Sequence, residues 1–176
     1  MILSKRLVLK RWIAKDKTQL FKLASNVKVA NPCGFLPHLN EEDSKNVIET
    51  IFNKPEHYAI KLRDENILIG SISLKSKKDS DLVEREDEAE IGFWLGEDFW
   101  GKGYMKEAAI SLIEHAFFEL NLKKIWASCK FDNFKSFNLQ KSLGFEFLYI
   151  KTLYIAAVDE KRISKISVLS KSRFQN

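Results

Sequence analysis

Cysteine is nearly absent from this chain. Cys33 and Cys129 are the two among 176 residues, and their spacing forms no pair pattern. A disulfide framework is excluded, and both read as reduced thiols. Long apolar runs are missing too: none approaches the ~18 residues of a membrane span. The opening Met1-Ile-Leu-Ser-Lys-Arg6 carries no apolar core ahead of a cleavage site. The expectation is a cytoplasmic chain with no membrane partner. The three prolines are scattered or sit in one loop, and no repeat, low-complexity tract or linker interrupts the chain. Residues 1–176 therefore read as a single domain. A chain of this length buries roughly 70% of its unfolded surface and needs neither disulfide nor metal to hold it. No zinc-finger, RNP or arginine-rich pattern supports direct nucleic-acid reading, and no such binding is expected.

What is present is a 45% apolar composition and a formal net charge of +5. Against that basic excess stands an acidic island, Glu84, Glu86, Asp87, Glu88 and Glu90. The island either attracts a cationic amine or is simply solvated.

The hydrophobic pattern divides the chain readily. Arg6–Trp12 alternates as a strand. Asp16 is placed to cap a helix whose Leu20, Phe21 and Ala24 share a face. The Pro- and Gly-containing segment 31–39 reads as a loop. Asn40 caps a second helix with Val47, Ile48, Ile51 and Phe52 on one side. Strands follow at His57–Arg63 and Ile67–Lys75, split by a turn at Asp64-Glu65-Asn66, and then at Ala89–Leu95. Met105, Ala108, Ala109, Leu112, Ile113, Ala116, Phe117 and Leu120 recur at i, i+3, i+4, the clearest helix in the chain. Lys124–Lys130 is a strand, Phe134–Leu143 a helix stopped by Gly144. Phe145–Ile150 and Ile163–Leu169 are closing strands, with a turn at residues 159–162. The order βααβββαβαββ predicts an α+β fold, a mixed and mostly antiparallel sheet of about seven strands flanked by four helices.

The stretch Gly96-Glu-Asp-Phe-Trp-Gly101-Lys102 spells G-x-x-x-x-G-K, the skeleton of a triphosphate loop. Its interior holds two carboxylates and two large rings where small residues must let amides wrap phosphates. Gly103 stands where a Ser or Thr would ligate magnesium. The match is accidental, and the dinucleotide fingerprint also fails because Gly101-Lys102-Gly103 lacks its third glycine. What remains is a glycine pair joining a strand to a helix N-terminus. There the first amides lack internal partners and the helix dipole is positive, so the turn is either a pyrophosphate site or only a tight turn.

The context of that turn resembles a known family. Ala89-Glu-Ile-Gly-Phe-Trp-Leu95-Gly with Phe99-Trp-Gly-Lys-Gly-Tyr-Met-Lys-Glu-Ala108 is similar to the acetyl-CoA motif of the GNAT N-acetyltransferases. Within that superfamily it looks like the branch of the ribosomal-protein acetyltransferases RimJ and RimL. Asn133-Phe-Lys-Ser136 through Gln140-Lys141 to Gly144-Phe145 matches a second motif, and Arg6–Trp12 looks like that branch's first strand. The resemblance covers about residues 4 to 170.

It implies a V-shaped cleft opened by a bulge in the family's fourth strand. Acetyl-CoA would lay its pantetheine arm along the backbone of Phe93, Trp94 and Leu95, and its pyrophosphate on the amides of Trp100, Gly101, Lys102, Gly103, Tyr104 and Met105. Asn133 would reach the pantetheine arm and Lys141 a CoA phosphate. Glu90 stands where many members carry a general base, acting through water on an amine acceptor; the alternative is an ion pair with a surface Lys. A strand amide near Trp94 or Leu95 would serve the developing oxyanion. Most of the superfamily uses a Tyr to protonate the departing thiolate, a place held here by Gln140. The branch uses the Ser matched by Ser136, which otherwise reads as a first-turn serine capping its helix. Asp98 departs from the Arg or Gln usual three residues before the first glycine. His38 lies in a loop that lines the acceptor site in related enzymes. His57 and His115 read as structural, and Trp94 and Trp100 as packing.

The resemblance thus implies direct transfer of acetyl from acetyl-CoA to a protein N-terminus or a small amine, without a metal, and leaves a homodimer open. The runner-up is a CoA-binding or ribosome-associated module without turnover.

Overall fold

A computed structural model describes residues 1–175. Its eight strands form one sheet in the order β1-β2-β3-β4-β5-β6-β8-β7. They are β1 (Ile2–Leu3), β2 (Leu7–Arg11), β3 (His57–Leu62), β4 (Leu68–Lys75), β5 (Glu88–Leu95), β6 (Lys124–Lys130), β7 (Glu146–Ile155) and β8 (Glu160–Ser170). Pairs β1/β2, β2/β3, β3/β4, β6/β8 and β7/β8 are antiparallel, and β5/β6 is parallel across the helical crossover. Six helices accompany them: α1 (Lys17–Ala24), α2 (Val27–Cys33), α3 (Glu41–Thr50), α4 (Tyr104–Glu114), α5 (Phe134–Ser142) and α6 (Lys171–Phe174). The chain groups into two compact units, one of Met1–Ser73 with Phe93–Ser111, the other of Leu74–Gly92 with the residues from Leu112 onward.

Three differences from the sequence reading have local causes. Segment 31–39 is not all loop. Asn26 caps α2 by accepting from the Lys28 amide, and the helix runs through Pro32 to Gly34, whose φ of 77° ends it. Pro32 has no N–H to give the Lys28 carbonyl, so the helix forgoes that bond and ends two residues later. Asp16 precedes α1 but makes no side-chain cap. Its carboxylate instead takes the buried Lys61 ammonium and the Ile13 amide. Residues 160–162 are strand rather than turn: the chain reverses one step earlier, through a short 3₁₀ segment at Ala156–Val158 and the left-handed Asp159. The extra strand β1 and the four-residue α6 are too short for periodicity to signal.

In the first unit Trp12, Leu20, Ala24, Ile48, Ala59 and Leu68 form a buried cluster, with Leu23, Phe35, Phe52 and Trp94 packed against it. Trp12 lies on Phe52 at 4.7 Å between ring centroids. Asn40 caps α3 through the amides of Glu42 and Asp43, as its position predicts. The face α3 buries is Ser44 and Ile48, while Ile51 follows the helix and is exposed.

Gly70 fixes the approach of the β5 end to β4. A Cβ there would collide with the Trp94 carbonyl oxygen and lie 2.8 Å from Leu95 Cδ2. Gly70→Ala is therefore expected to cost about 1–3 kcal/mol or more, as overpacking does. At this chain length that reads as a melting-point fall of about 2–4 °C per kcal/mol. A variant melting with the parent would show that the two strands have room to part.

In the second unit β8 lies between β6 and β7 and is paired on both sides. Strand β7 is the sheet edge, and most of its side chains are exposed, Phe147, Tyr149, Ile150 and Tyr154 among them. The apolar stripe beginning at Met105 is buried through Phe117. From His115 to Glu119 the backbone widens into a π turn, the Leu120 amide reaching back to the His115 carbonyl at 3.0 Å.

Candidate active site

In the first unit β5 ends at Leu95 and passes into α4 through a turn built on two left-handed glycines, Gly101 (φ 74°) and Gly103 (φ 77°). Among the described residues nothing lies within 4 Å of a Cβ placed on Gly101. Glycine is thus required there by conformation rather than by space. The Trp100 amide donates to the Glu97 carbonyl at 3.1 Å, and the Trp100 indole N–H donates to the Leu95 carbonyl at 2.9 Å. Trp100 therefore ties the strand end to the turn. Among the described residues the amides of Gly101, Lys102, Gly103, Tyr104 and Met105 meet no acceptor. The free run begins one residue later than the sequence reading placed it. Five successive free amides at a helix N-terminus carry partial positive charge and suit a phosphate or pyrophosphate. These residues fit the CoA pyrophosphate.

The turn is braced from behind. Glu107, in the first turns of α4, accepts the Arg6 amide and the Ser4 hydroxyl on Oε1, each at 2.7 Å, and Arg6 Nε on Oε2 at 2.7 Å. Burial pushes the Glu107 carboxyl up, but the Arg6 amide, the Ser4 hydroxyl and the Arg6 guanidinium outweigh it and hold it below its usual value. Arg6 Nη1 donates to the Lys102 carbonyl at 3.1 Å, and the guanidinium lies over the Tyr104 ring at 4.5 Å. Sequence reasoning missed this brace, since residues 6 and 107 are unrelated by any spacing rule. Lys102 extends over the Phe99 ring at 5.7 Å.

His38, between α2 and α3, is buried, with Nδ1 2.7 Å from the Ser44 hydroxyl and its ring edge-on to Phe35. Burial holds its imidazole below the ordinary 6.5, Asp43 opposing. A lowered folded value means the unfolded chain takes the proton first. The stability of neutral His38 is therefore whole above pH 6.5 and is lost as pH falls below it. Between pH 7.5 and 5.5 the parent should lose more melting temperature than His38→Gln. The difference is bounded by about 1.4 kcal/mol per pH unit. Equal losses would remove His38 from the account.

In the second unit, alternation along β5 turns Glu88 and Glu90 to one side, and both are buried. The acidic island is thus two different things. Glu84 and Glu86 are exposed, whereas Glu88 accepts the Trp126 indole N–H at 2.8 Å and Glu90 Oε1 accepts the Ser128 hydroxyl at 2.8 Å. Lys75 Nζ stands 3.8 Å from the other Glu90 oxygen, its side chain 38% exposed. Glu88 escaped sequence reading because a charge run carries no mark of which members face inward. The β5/β6 ladder runs from Glu88 against Lys124 to Ile91 against Ala127, and β5 continues for Gly92–Leu95 beyond its last paired position.

Asn133 caps α5 by accepting the Ser136 amide on Oδ1 at 3.1 Å. The cap of this helix is therefore Asn133 and not the Ser136 hydroxyl. Ser136 Oγ instead accepts from Gln140 Nε2 at 3.4 Å, and that Nε2 also reaches the Ser128 carbonyl at 3.5 Å. Gln140 is 1% exposed, and among the described residues its Oε1 has no hydrogen-bond partner. Burial pushes the neighbouring Cys129 thiol up, against Lys165, Gln140 and Ser136, and keeps it protonated. Lys141, farther along α5, is exposed with Nζ over the Phe137 ring at 5.3 Å.

The structure thus brings Gly101–Met105 together in one turn, and Asn133, Ser136 and Gln140 on one helix. His38 belongs to the helical layer of the first unit. Among the described residues no group of His, Cys, Asp or Glu is arranged to hold a metal ion, and no helix is long and apolar enough to cross a membrane.

The family profile described as an acetyltransferase (GNAT) domain matches residues 6–146. The chain is 30% identical over 146 residues to YnaD of Bacillus subtilis, described as an uncharacterized N-acetyltransferase, with 81% of each chain covered. It is 38% identical over 78 residues to YdaF of the same organism, provisionally named a ribosomal N-acetyltransferase, covering 44% of this chain and 40% of YdaF. An acetyltransferase of the GNAT family from Bacillus anthracis superposes with a TM-score of 0.84 at 22% identity, covering 97% of this chain and 98% of that one.

Proposed function

The chain belongs to the GNAT acetyltransferase family, and from that premise we propose that it is an N-acetyltransferase moving the acetyl group of acetyl-CoA onto a primary amine by direct attack in a ternary complex. The observation that carries this beyond family membership is the run of free amides from Gly101 to Met105 on two left-handed glycines. Acetyl-CoA supplies an activated acetyl thioester and, at its other end, a pyrophosphate. The amides of the turn hold that anion, and the backbone of Phe93, Trp94 and Leu95 orients the pantetheine arm, with Asn133 and Lys141 as further contacts.

An alkyl amine is protonated at neutral pH, with a pKa near ~10, and must lose a proton before it can attack. Glu90 accepts that proton through a water, and Ser128 keeps the carboxylate oriented. Ser136 gives a proton to the departing sulfur. The buried carboxylates of Glu88 and Glu90, near Lys124 at 3.6 Å and Lys75 at 3.8 Å, support an acceptor that arrives as a cation. The resemblance to the RimJ/RimL branch and the name of YdaF support a protein N-terminus as that acceptor.

Incubating cell extract with the enzyme and labelled acetyl-CoA, then locating the label by mass spectrometry, tests the reading. Label on protein N-termini is expected. Label on a small amine would replace the acceptor, and no transferred label would sink the enzyme. The Lys75–Glu90 pair favours a second reading, in which that carboxylate is a structural ion-pair partner and the chain a CoA-binding module. Tight CoA binding by calorimetry with no label transfer is its signature.

A further inference from the structure

The proposed pyrophosphate turn contains a mechanical weakness. The peptide joining Lys102 to Gly103 turns about the ψ of Lys102 and the φ of Gly103, and Gly103 stands at a positive φ of 77°. A glycine on that side turns through its backbone angles at little steric cost. The peptide is trans, so its carbonyl oxygen and its N–H point in opposite directions. Whichever way the Lys102 carbonyl faces, the Gly103 amide faces the other. A turn that presents five amides to one anion therefore needs something to hold this carbonyl on the far side.

We propose that Arg6 is that device: a positioning residue that locks the Lys102–Gly103 peptide and so presets the Gly103 amide for pyrophosphate. This rests on the acetyl-CoA reading above. Arg6 Nη1 donates to the Lys102 carbonyl at 3.1 Å. Its Nε and its own backbone amide are both anchored on Glu107 at 2.7 Å, and the Tyr104 ring supports the guanidinium at 4.5 Å. Nη2 stands 3.5 Å from where a Cβ of Gly103 would be. The fork is therefore fixed on three sides and has one arm aimed at the peptide that can flip. Because Glu107 neutralises the guanidinium, the effect is one of orientation more than of added positive charge. Arginine suits the task because its planar fork spans a carboxylate and a carbonyl at once, which a lysine ammonium on a flexible stem cannot do.

The test compares the affinity of coenzyme A with that of pantetheine, which lacks the pyrophosphate, for the parent, Arg6→Gln and Arg6→Lys. Arg6→Gln should weaken coenzyme A by about 10–100-fold, the worth of a charge-assisted hydrogen bond. Pantetheine affinity should hold, and Arg6→Lys should recover only part of the loss. Equal weakening of both ligands, or no weakening, overturns the role of Arg6 while leaving the acetyl-CoA reading intact. A parent that binds neither ligand overturns that reading itself. A measurement on the unaltered chain guards against variants that do not fold. The Gly103 amide resonance should be a single sharp peak in the free protein that moves with coenzyme A and stays put with pantetheine. A doubled or exchange-broadened peak in the free protein would show a peptide that nothing holds.

Discussion

Glu90→Gln is expected to lower kcat/KM by about 10²–10⁴-fold, the usual contribution of a positioned base. The substitution keeps an acceptor oxygen for the Ser128 hydroxyl 2.8 Å away. The Lys75 ammonium it abandons is 38% exposed and can turn to water. With its ammonium end open to water and 3.8 Å from the carboxylate, the pair is worth about 0–1 kcal/mol, so the melting temperature should scarcely change. Coenzyme A affinity should be untouched. The rate should also show a signature of its own. As pH rises toward the amine's own pKa near ~10, solution supplies the free base without help, and the deficit of the variant should shrink. A variant as active as the parent on every amine would remove Glu90 from the chemistry. A deficit that stays constant with pH would assign it to holding the acceptor rather than to taking its proton.

The largest expected effect on stability lies away from the chemistry, at Lys61. Its ammonium is buried against the Asp16 carboxylate, the two side chains 5% and 3% exposed. Lys61→Met removes the cation and leaves a carboxylate in an apolar surrounding, with the Ile13 amide at 3.3 Å as its remaining contact. Breaking a buried pair on one side costs about 3–5 kcal/mol, because the stranded charge is not compensated. Urea or thermal unfolding reads that loss directly. The double variant Asp16→Asn with Lys61→Met should recover most of it, since replacing both ends of a buried pair is often close to neutral. A single variant that loses under about 1 kcal/mol would mean that water reaches the pair.

How much of this was legible in the chain depended on the range of each signal. Periodicity located β6 at Lys124–Lys130 to the residue, and the stripe from Met105 to Phe117, because strands and amphipathic helices write themselves every two or four positions. Asn40 was legible as a cap because the residues it serves follow it at once. Asp16 was misread for the complementary reason: its partner Lys61 lies in another strand, and an acidic residue before a helix looks the same whether it caps or pairs. Helix α2 was hidden by Pro32, which normally argues against helix. Of the candidate site, the turn at Gly101–Gly103 was visible as a motif. Its brace from Arg6 and Glu107, and the tie between Ser136 and Gln140, depend on tertiary placement or on which rotamer a side chain takes. Neither is local information.

The strand order of the second unit has a consequence for how the chain is made. β8 is synthesised after β7, yet it lies between β6 and β7. A chain laid down in order therefore offers β7 to β6 first, although those two strands are not neighbours in the sheet. A β6/β7 pairing would take the place of β8. The β6–β8–β7 order forms by β8 pairing with β6 and then taking β7, or by β7 and β8 docking together as a hairpin. The nine-position β7/β8 register, with its short 3₁₀ reversal at Ala156–Val158, favours the hairpin as the piece that docks.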